Sequence, residues 1–397
     1  MKRICLSLFG VVLLVSCGRK QPQIERFYEN GVEIVLNHAR PYRAKGESKA
    51  LVLQEEFVID FEKKDIVALG LTDVWGFDVD SEGNIFVFQS PLSQGDLVFR
   101  FDPKGHYVSS FARRGQGPGE VEQPLFQKIN DRNELPITES GRYKIIWFDK
   151  NGNIVNEIRM GIVVGTMGSM VYPLKNGHYL IRRSLSGELE GTLDFVLSLF
   201  DSQFNEILEL DRFEVIQPIR ADRFRLPMHA SIWSVSKDHV YVGEEKNGYE
   251  IRVYDLEGHL ERIIKKEHQP VKVSGEFKRS VGERLEHTPS AVKDKIYFPD
   301  HFPAFQSIFT DDQGRLFVMT FERGKNPKEY VFDIFNQAGL FIGTASIDAH
   351  LNDPFFTPGA PLDAWISIKK DHFYALRMKP SGYIELAVYK TMWQRKN

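Results

Sequence analysis

Apolar and polar positions along this chain form short runs rather than long stripes. Segments of alternating or continuous apolar residues are separated by turns rich in Gly, Asn and Asp, the pattern of strands joined by tight hairpins. One two-part unit recurs. Its first half, a turn followed by a strand, occupies Ser81 to Phe88, Lys175 to Ile181, Lys237 to Gly243, Asp312 to Met319 and Lys370 to Leu376. Its second half is strand, turn and strand, at Leu97 to Phe111, Ile145 to Ile158, Phe195 to Leu208, Ile251 to Ile264 and Tyr330 to Ala345. Each half predicts a β-hairpin, so each unit predicts four antiparallel strands.

The turns centre six units on Gly83 to Gly105, Asn133 to Gly152, Gly177 to Phe204, Asp238 to Gly258, Gly314 to Gly339, and Asp371 onward. The expected fold is all-β, a six-bladed β-propeller of four-stranded antiparallel blades. In the second unit Pro136 fits a sheet edge or a bulge better than a central strand, because it has no N–H to give. The last unit ends one strand short. Leu51 to Phe61 reads as a strand, and the ring is expected to be closed by this N-terminal strand, which removes an unpaired edge.

Ahead of the propeller, Lys2 and Arg3 precede the apolar run Ile4 to Val15, too short to span a bilayer and of the form of a secretory signal. The following Leu14-Val15-Ser16-Cys17 resembles a bacterial lipobox, which implies a lipidated Cys17 at the head of the mature chain. The expected organisation is a signal peptide over residues 1–16, a lipid-anchored tether over 17–50 and the propeller over 51–397. The expected address is the cell envelope, on the outer membrane facing the periplasm, with membrane contact through Cys17.

The balance of 51 Lys+Arg against 54 Asp+Glu, a formal charge of -3, argues against a nucleic-acid partner. Cys5 and Cys17 are the only two cysteines, so the body of the chain holds no disulfide, zinc-thiolate centre or thiol nucleophile. No cofactor is expected. The lipobox, Phe111 to Val121 with its RGQGPGE motif, and Phe298 to Val318 together resemble the six-bladed β-propeller lipoproteins of Bacteroides-type bacteria, NHL-like and TolB-like in shape. That resemblance implies fold and envelope location, and no reaction.

Long connections at Arg113 to Pro124, Glu209 to Met228 and Lys265 to Pro303 mark the face where a ligand is expected. Gly275 to Ile296 has helical spacing and is either a lid or a surface decoration. Arg113 to Glu120 lacks the Lys-Ser/Thr ending of a phosphate loop and reads as a sharp turn. Of the histidines, His178, His239 and His372 share one turn position and His106 and His259 another, so the ring keeps them apart. His229 precedes an innermost strand, where Asp73, Gln127, Gln306 and Asp363 take comparable places and Arg220, Arg223 and Arg225 approach. Asp73, Gln127, Arg223, His229, Gln306 and Asp363 form the candidate channel-mouth set for a small molecule, glycan or protein partner. The alternative is a hydrolase or lyase with His229 as base and Arg223 on an anion. Trp75, Trp233 and Trp365 are expected to pack between blades, with sugar stacking as the alternative.

Overall fold

The computed structural model describes residues 24–42, 50–117, 119–126, 128–139, 144–160, 170–187, 192–216, 222–227, 232–243, 247–326, 329–348, 365–379 and 381–394. The chain enters as a hairpin of β1 (Ile24–Glu29) and β2 (Val32–Asn37), then β3 (Ala50–Asp60) and the short α1 (Lys64–Val67). Blade one is β4 (Val74–Val79), β5 (Ile85–Gln89), β6 (Asp96–Phe101) and β7 (Tyr107–Arg113). Blade two is β8 (Pro124–Phe126), β9 (Leu135–Glu139), β10 (Lys144–Phe148) and β11 (Ile154–Arg159). Blade three is β12 (Met170–Pro173), β13 (Tyr179–Ser186), β14 (Thr192–Phe200) and β15 (Glu206–Ile216). After β16 (Phe224–Arg225), blade four is β17 (Ile232–Val235), β18 (Val240–Gly243), β19 (Glu250–Tyr254) and β20 (Leu260–Lys266). The next connection carries α2 (Gly275–Arg284), α3 (Ser290–Lys293) and β21 (Ile296–Tyr297). Blade five is β22 (Ser307–Thr310), β23 (Leu316–Arg323), β24 (Glu329–Phe335) and β25 (Phe341–Asp348); blade six is β26 (Ile366–Lys369), β27 (His372–Met378) and β28 (Ile384–Gln394).

Six antiparallel blades follow in chain order, and β3 pairs antiparallel with β28 as the fourth strand of blade six. The expected N-terminal closure is therefore the observed one. The hairpin of β1 and β2 lies in the stretch read as tether; β2 adds parallel to β20, so blade four becomes a six-stranded sheet with β1 at its edge. No helix among the described residues is long and apolar enough to cross a membrane.

The core is divided among the seams. Six buried clusters alternate with the blades, each drawing its side chains from two neighbouring blades, including a six-to-one seam built on Phe77, Phe101 and Leu376. Phenylalanine dominates because a large flat ring fills the wedge between twisted sheets; Phe86, Phe99, Phe309, Phe317, Phe332 and Phe373 are all essentially inaccessible.

One turn chemistry repeats round the ring. Asp102 Oδ1 accepts the N–H of Lys104 at 2.8 Å and of His106 at 2.9 Å, and Oδ2 meets the His106 ring at 3.0 Å. Asp149 does the same for Asn151 and Asn153, and Asp255 for Glu257 and His259. These are Asx turns, in which the carboxylate satisfies the hairpin backbone and the residue four places on braces it. His106 and His259 are thus braces. Gly152, at φ 85, packs where an added Cβ would lie 2.5 Å from Phe111 Cβ of the preceding blade. Glycine there serves both the left-handed turn and the seam.

Two local readings change. Pro136 sits in the second strand of blade two, opposite Trp147, but β8 ends at Phe126 opposite Ile137. Among the described residues Pro136 therefore meets no inner-strand partner, and its missing N–H is tolerated there. Glu209 to Ile216, read as connector, continues the outermost strand β15, whose charged residues face solvent on an edge.

Candidate functional site

The long-loop end of blade one holds the best-supported site. The backbone before β4 is fixed by Gln89, fully buried, whose Oε1 accepts Thr72 N–H at 2.7 Å and whose Nε2 donates to Asp96 O at 3.1 Å. Ser90 N–H donates to Asp73 O at 2.8 Å. Asp73 is then exposed on a rigid base. The ladder between β4 and β5 pairs Val74 with Gln89 and Gly76 with Phe88, so Trp75 is a bulged residue with no opposite number. Bulges re-aim side chains, and Trp75 emerges 50% exposed.

The other two tryptophans behave as expected of core residues. Trp233 is buried edge-on to Tyr172 at 4.9 Å, and Trp365 packs on the seam between blades six and one. Trp75 departs from that expectation because of the bulge.

The other candidate residues are separated. Gln306 donates its N–H to Met319 O at 2.7 Å and its Nε2 to Thr320 O, leaving Oε1 buried with no hydrogen-bond partner. Its amide is turned onto blade five. Arg223 is exposed, its guanidinium 4.8 Å above the Tyr297 ring, where β16 pairs parallel with β21. It belongs to a small layer built by the two connections flanking blade four. Among the described residues no hydrogen bond or ion pair joins Asp73, Arg223 and Gln306. Cys17, Gln127, His229 and Asp363 lie outside the described residues, and with His229 goes the base of the hydrolase reading.

The segment from Gly275 does form helices. Ser274 caps α2 by accepting Phe277 N–H at 3.1 Å, and Phe277 meets Phe302 at 4.9 Å, which stacks on Phe321 of β23 at 4.3 Å. This aromatic stack docks the segment on blade five. In the glycine-rich loop, the Glu120 carboxylate accepts Gly117 N–H at 2.9 Å, so the chain's own anion fills the cradle. Its reading as a sharp turn stands on that contact.

Two further features were not visible in the sequence. At the seam of blades four and five, Tyr249 donates to Asp333 at 2.7 Å and Lys266 pairs with Asp333 at 3.1 Å. Burial pushes the Asp333 carboxyl up despite Lys266, and burial with the Asp333 charge pushes the Tyr249 phenol up. A crevice of about 210 Å³ opens between the rims of blades five and six, lined by Leu51, Leu53, Ala345, Ser346, Ile347, Phe373 and Tyr389. It has no charged group, and Ser346 and Tyr389 are its polar side chains. Among the described residues no cluster of three or more potential metal ligands occurs.

No curated protein matches the chain by sequence. Solved structures similar to it include a protein from Bacteroides fragilis described as exported, 13% identical, with 90% of this chain and 99% of that chain covered at a TM-score of 0.46. A member of the DUF4221 family from Bacteroides vulgatus is 10% identical, with 87% and 99% covered and a TM-score of 0.47. A calcium-binding protein, regucalcin, from Agrobacterium tumefaciens is 10% identical, with 86% and 96% covered and a TM-score of 0.38. Residues 79–219 match the family DUF5128, described as a 6-bladed beta-propeller, and the sheet order makes the whole ring a six-bladed β-propeller.

Proposed function

We propose that this protein is a ligand-binding propeller held on the envelope membrane by lipid on Cys17, and that the long-loop mouth of blade one takes a carbohydrate. The observation that carries the reading is Trp75, bulged out of the innermost strand and half exposed beside the exposed Asp73. A half-exposed indole leaves about 100 Å² of apolar surface in water, worth roughly 2.5 kcal/mol when a ligand covers it. A core role would bury that surface, as it does for Trp233. The flat face of a sugar ring fits an indole, and a carboxylate alongside accepts hydroxyl hydrogen bonds. The rigid base supplied by Gln89 keeps both groups in place before the ligand arrives, which limits the entropy lost on binding. Catalysis is not expected, since Asp73 has no neighbouring acid or base within hydrogen-bonding reach among the described residues. The envelope location is supported by the n-region, the short apolar run and the lipobox-like Leu14 to Cys17.

The test is binding of neutral and acidic oligosaccharides to the native chain and to Trp75→Ala, by glycan array and then calorimetry. Native binding that the variant loses, with an unchanged melting temperature, supports the reading. A native chain that binds none of them, or a variant that binds equally well, contradicts it.

A further inference from the structure

The hairpin of β1 and β2 gives blade four an edge that pairs with no further strand among the described residues. Among those residues β1 pairs with β2 alone, and its burial runs from half-buried Ile24 to five exposed residues. Phe27 is 40% and Tyr28 74% exposed, and on the rim of the neighbouring blade three Ile207 and Leu208 are 43% and 38% exposed. Leu208 touches the outer turn of blade four at Gly258, so the two rims adjoin. Arg26 reaches across to Ala338 O of blade five at 3.1 Å, which by strand alternation turns Phe27 toward blade three and Tyr28 toward blade five. The edge thus presents an apolar strip of Phe27, Ile207 and Leu208 on one side and the Tyr28 ring on the other.

We infer that this strip, formed by β1 and the adjoining rim of blade three, is the surface that lies against the lipid bilayer. The inference rests on the anchoring at Cys17 proposed above. Only residues 18–23 separate Cys17 from Ile24, so whatever path they take, the start of β1 lies within about 25 Å of the anchor. Five strand spacings put β1 roughly 24 Å outward from the innermost strand β17. The rim of blade one, on the other side of the ring, lies beyond that reach when β1 rests on the membrane. Ile154 and Val155 on blade two form another exposed apolar pair, on a blade that the N-terminal hairpin does not extend.

The chemistry sets the depth. Backbone groups on the free edge of β1 need hydrogen-bonding partners, which the hydrocarbon interior lacks and the headgroup region supplies. Tyr28 suits that region, with an apolar ring and a polar tip. Glu25, Arg26 and Glu29 in the same strand favour headgroups over hydrocarbon and oppose pairing with another strand. Edge-on seating holds the axis roughly parallel to the membrane and leaves the long-loop mouth open to solvent.

The experiment uses the lipidated chain in vesicles of phosphatidylethanolamine and phosphatidylglycerol. Past Cys17 the sequence has no cysteine, so Tyr28→Cys, Val155→Cys and Lys104→Cys each introduce one reactive thiol for a fluorophore. Nitroxide lipids are expected to quench the label at position 28 at least threefold more than the labels on blade two's rim and blade one's outer turn. Equal quenching, or stronger quenching at either control, overturns the inference while leaving the anchor intact. Oxidative cross-linking of Tyr28→Cys to its own copy in place of quenching overturns it in favour of edge-to-edge pairing. Mass spectrometry of the mature N-terminus reads the anchor separately, and an unlipidated Cys17 removes both readings together.

Discussion

Lys369 on the innermost strand of blade six donates through Nζ to Asp78 Oδ1 at 2.8 Å on the innermost strand of blade one. The other carboxylate oxygen accepts Ile129 N–H of blade two at 2.7 Å, so one side chain links the last, first and second blades close to the axis. Asp78 is 3% exposed in its side chain and Lys369 22%. Removing one partner of a buried pair leaves the other charge uncompensated, which is worth about 3–5 kcal/mol when both are fully buried. Asp78→Ala is expected to lower unfolding free energy by about 3 kcal/mol in urea denaturation of a Cys17→Ser chain. Lys369→Met keeps apolar bulk but leaves the more buried Asp78 carboxylate without its counter-charge, and is expected to lower it by at least as much.

Asn37 makes a comparable clasp farther out. Fully buried, its Nδ2 donates to Lys265 O at 3.2 Å and Gly339 O at 3.0 Å, while its Oδ1 accepts Phe341 N–H at 2.8 Å. It pins the N-terminal hairpin to blades four and five at once. Asn37→Leu strands buried backbone groups of both blades, at about 1–3 kcal/mol for each group left without a partner. The expected result is a loss of 2–4 kcal/mol with early loss of hydrogen-exchange protection in β1 and β2. Unchanged protection there contradicts the clasp.

The same hairpin carries a pH dependence. His38 lies between Glu25 at 3.0 Å and Glu267 at 2.9 Å, with its side chain 13% exposed. The Glu267 hydrogen bond, helped by Glu25 and opposed by partial burial, raises the imidazole above its usual value of 6.5. A raised folded-state pKa means that the stabilisation is fully present below the unfolded value and is lost as pH rises through the folded one. Protection factors of the β1 amides are therefore expected to fall from pH 6 to pH 8.5 in the native chain. In His38→Gln they are expected to be lower at pH 6 and nearly flat over the same range.

Much of the ring was legible because its information is local. An Asp four residues before an Asn, His or Arg, with Gly between, specifies a hairpin turn whatever lies elsewhere, as at Asp149 and Asp255. The apolar period of two on either side specifies the strands. The closing strand was legible too, since one repeat lacked an edge and one strand lacked a repeat. The placement of β2 was not. Its pairing with β20 is parallel and its Asn37 bonds lie 228 and 302 residues away, a separation that no periodic pattern encodes.

The site was legible in part. Entrance positions to innermost strands could be counted from the repeats, which found Asp73. The sequence points Trp75 to the core because a bulge is a property of pairing between two strands, and Val74-Trp75-Gly76 reads as ordinary alternation until the register with Phe88 and Gln89 is known. Gln306 was found by the same count, yet its amide serves the backbone of Thr320.

The proposed contact between Trp75 and the ligand can be read in solution. The most direct measurement is fluorine NMR of the chain labelled with 5-fluorotryptophan, whose five resonances are assigned by single Trp→Phe variants and titrated with the oligosaccharide that binds most tightly. With the ligand seated on Trp75, its resonance shifts with saturation while those of Trp233 and Trp365 hold still. A silent Trp75 with a bound saccharide, or a shift confined to another tryptophan, contradicts it.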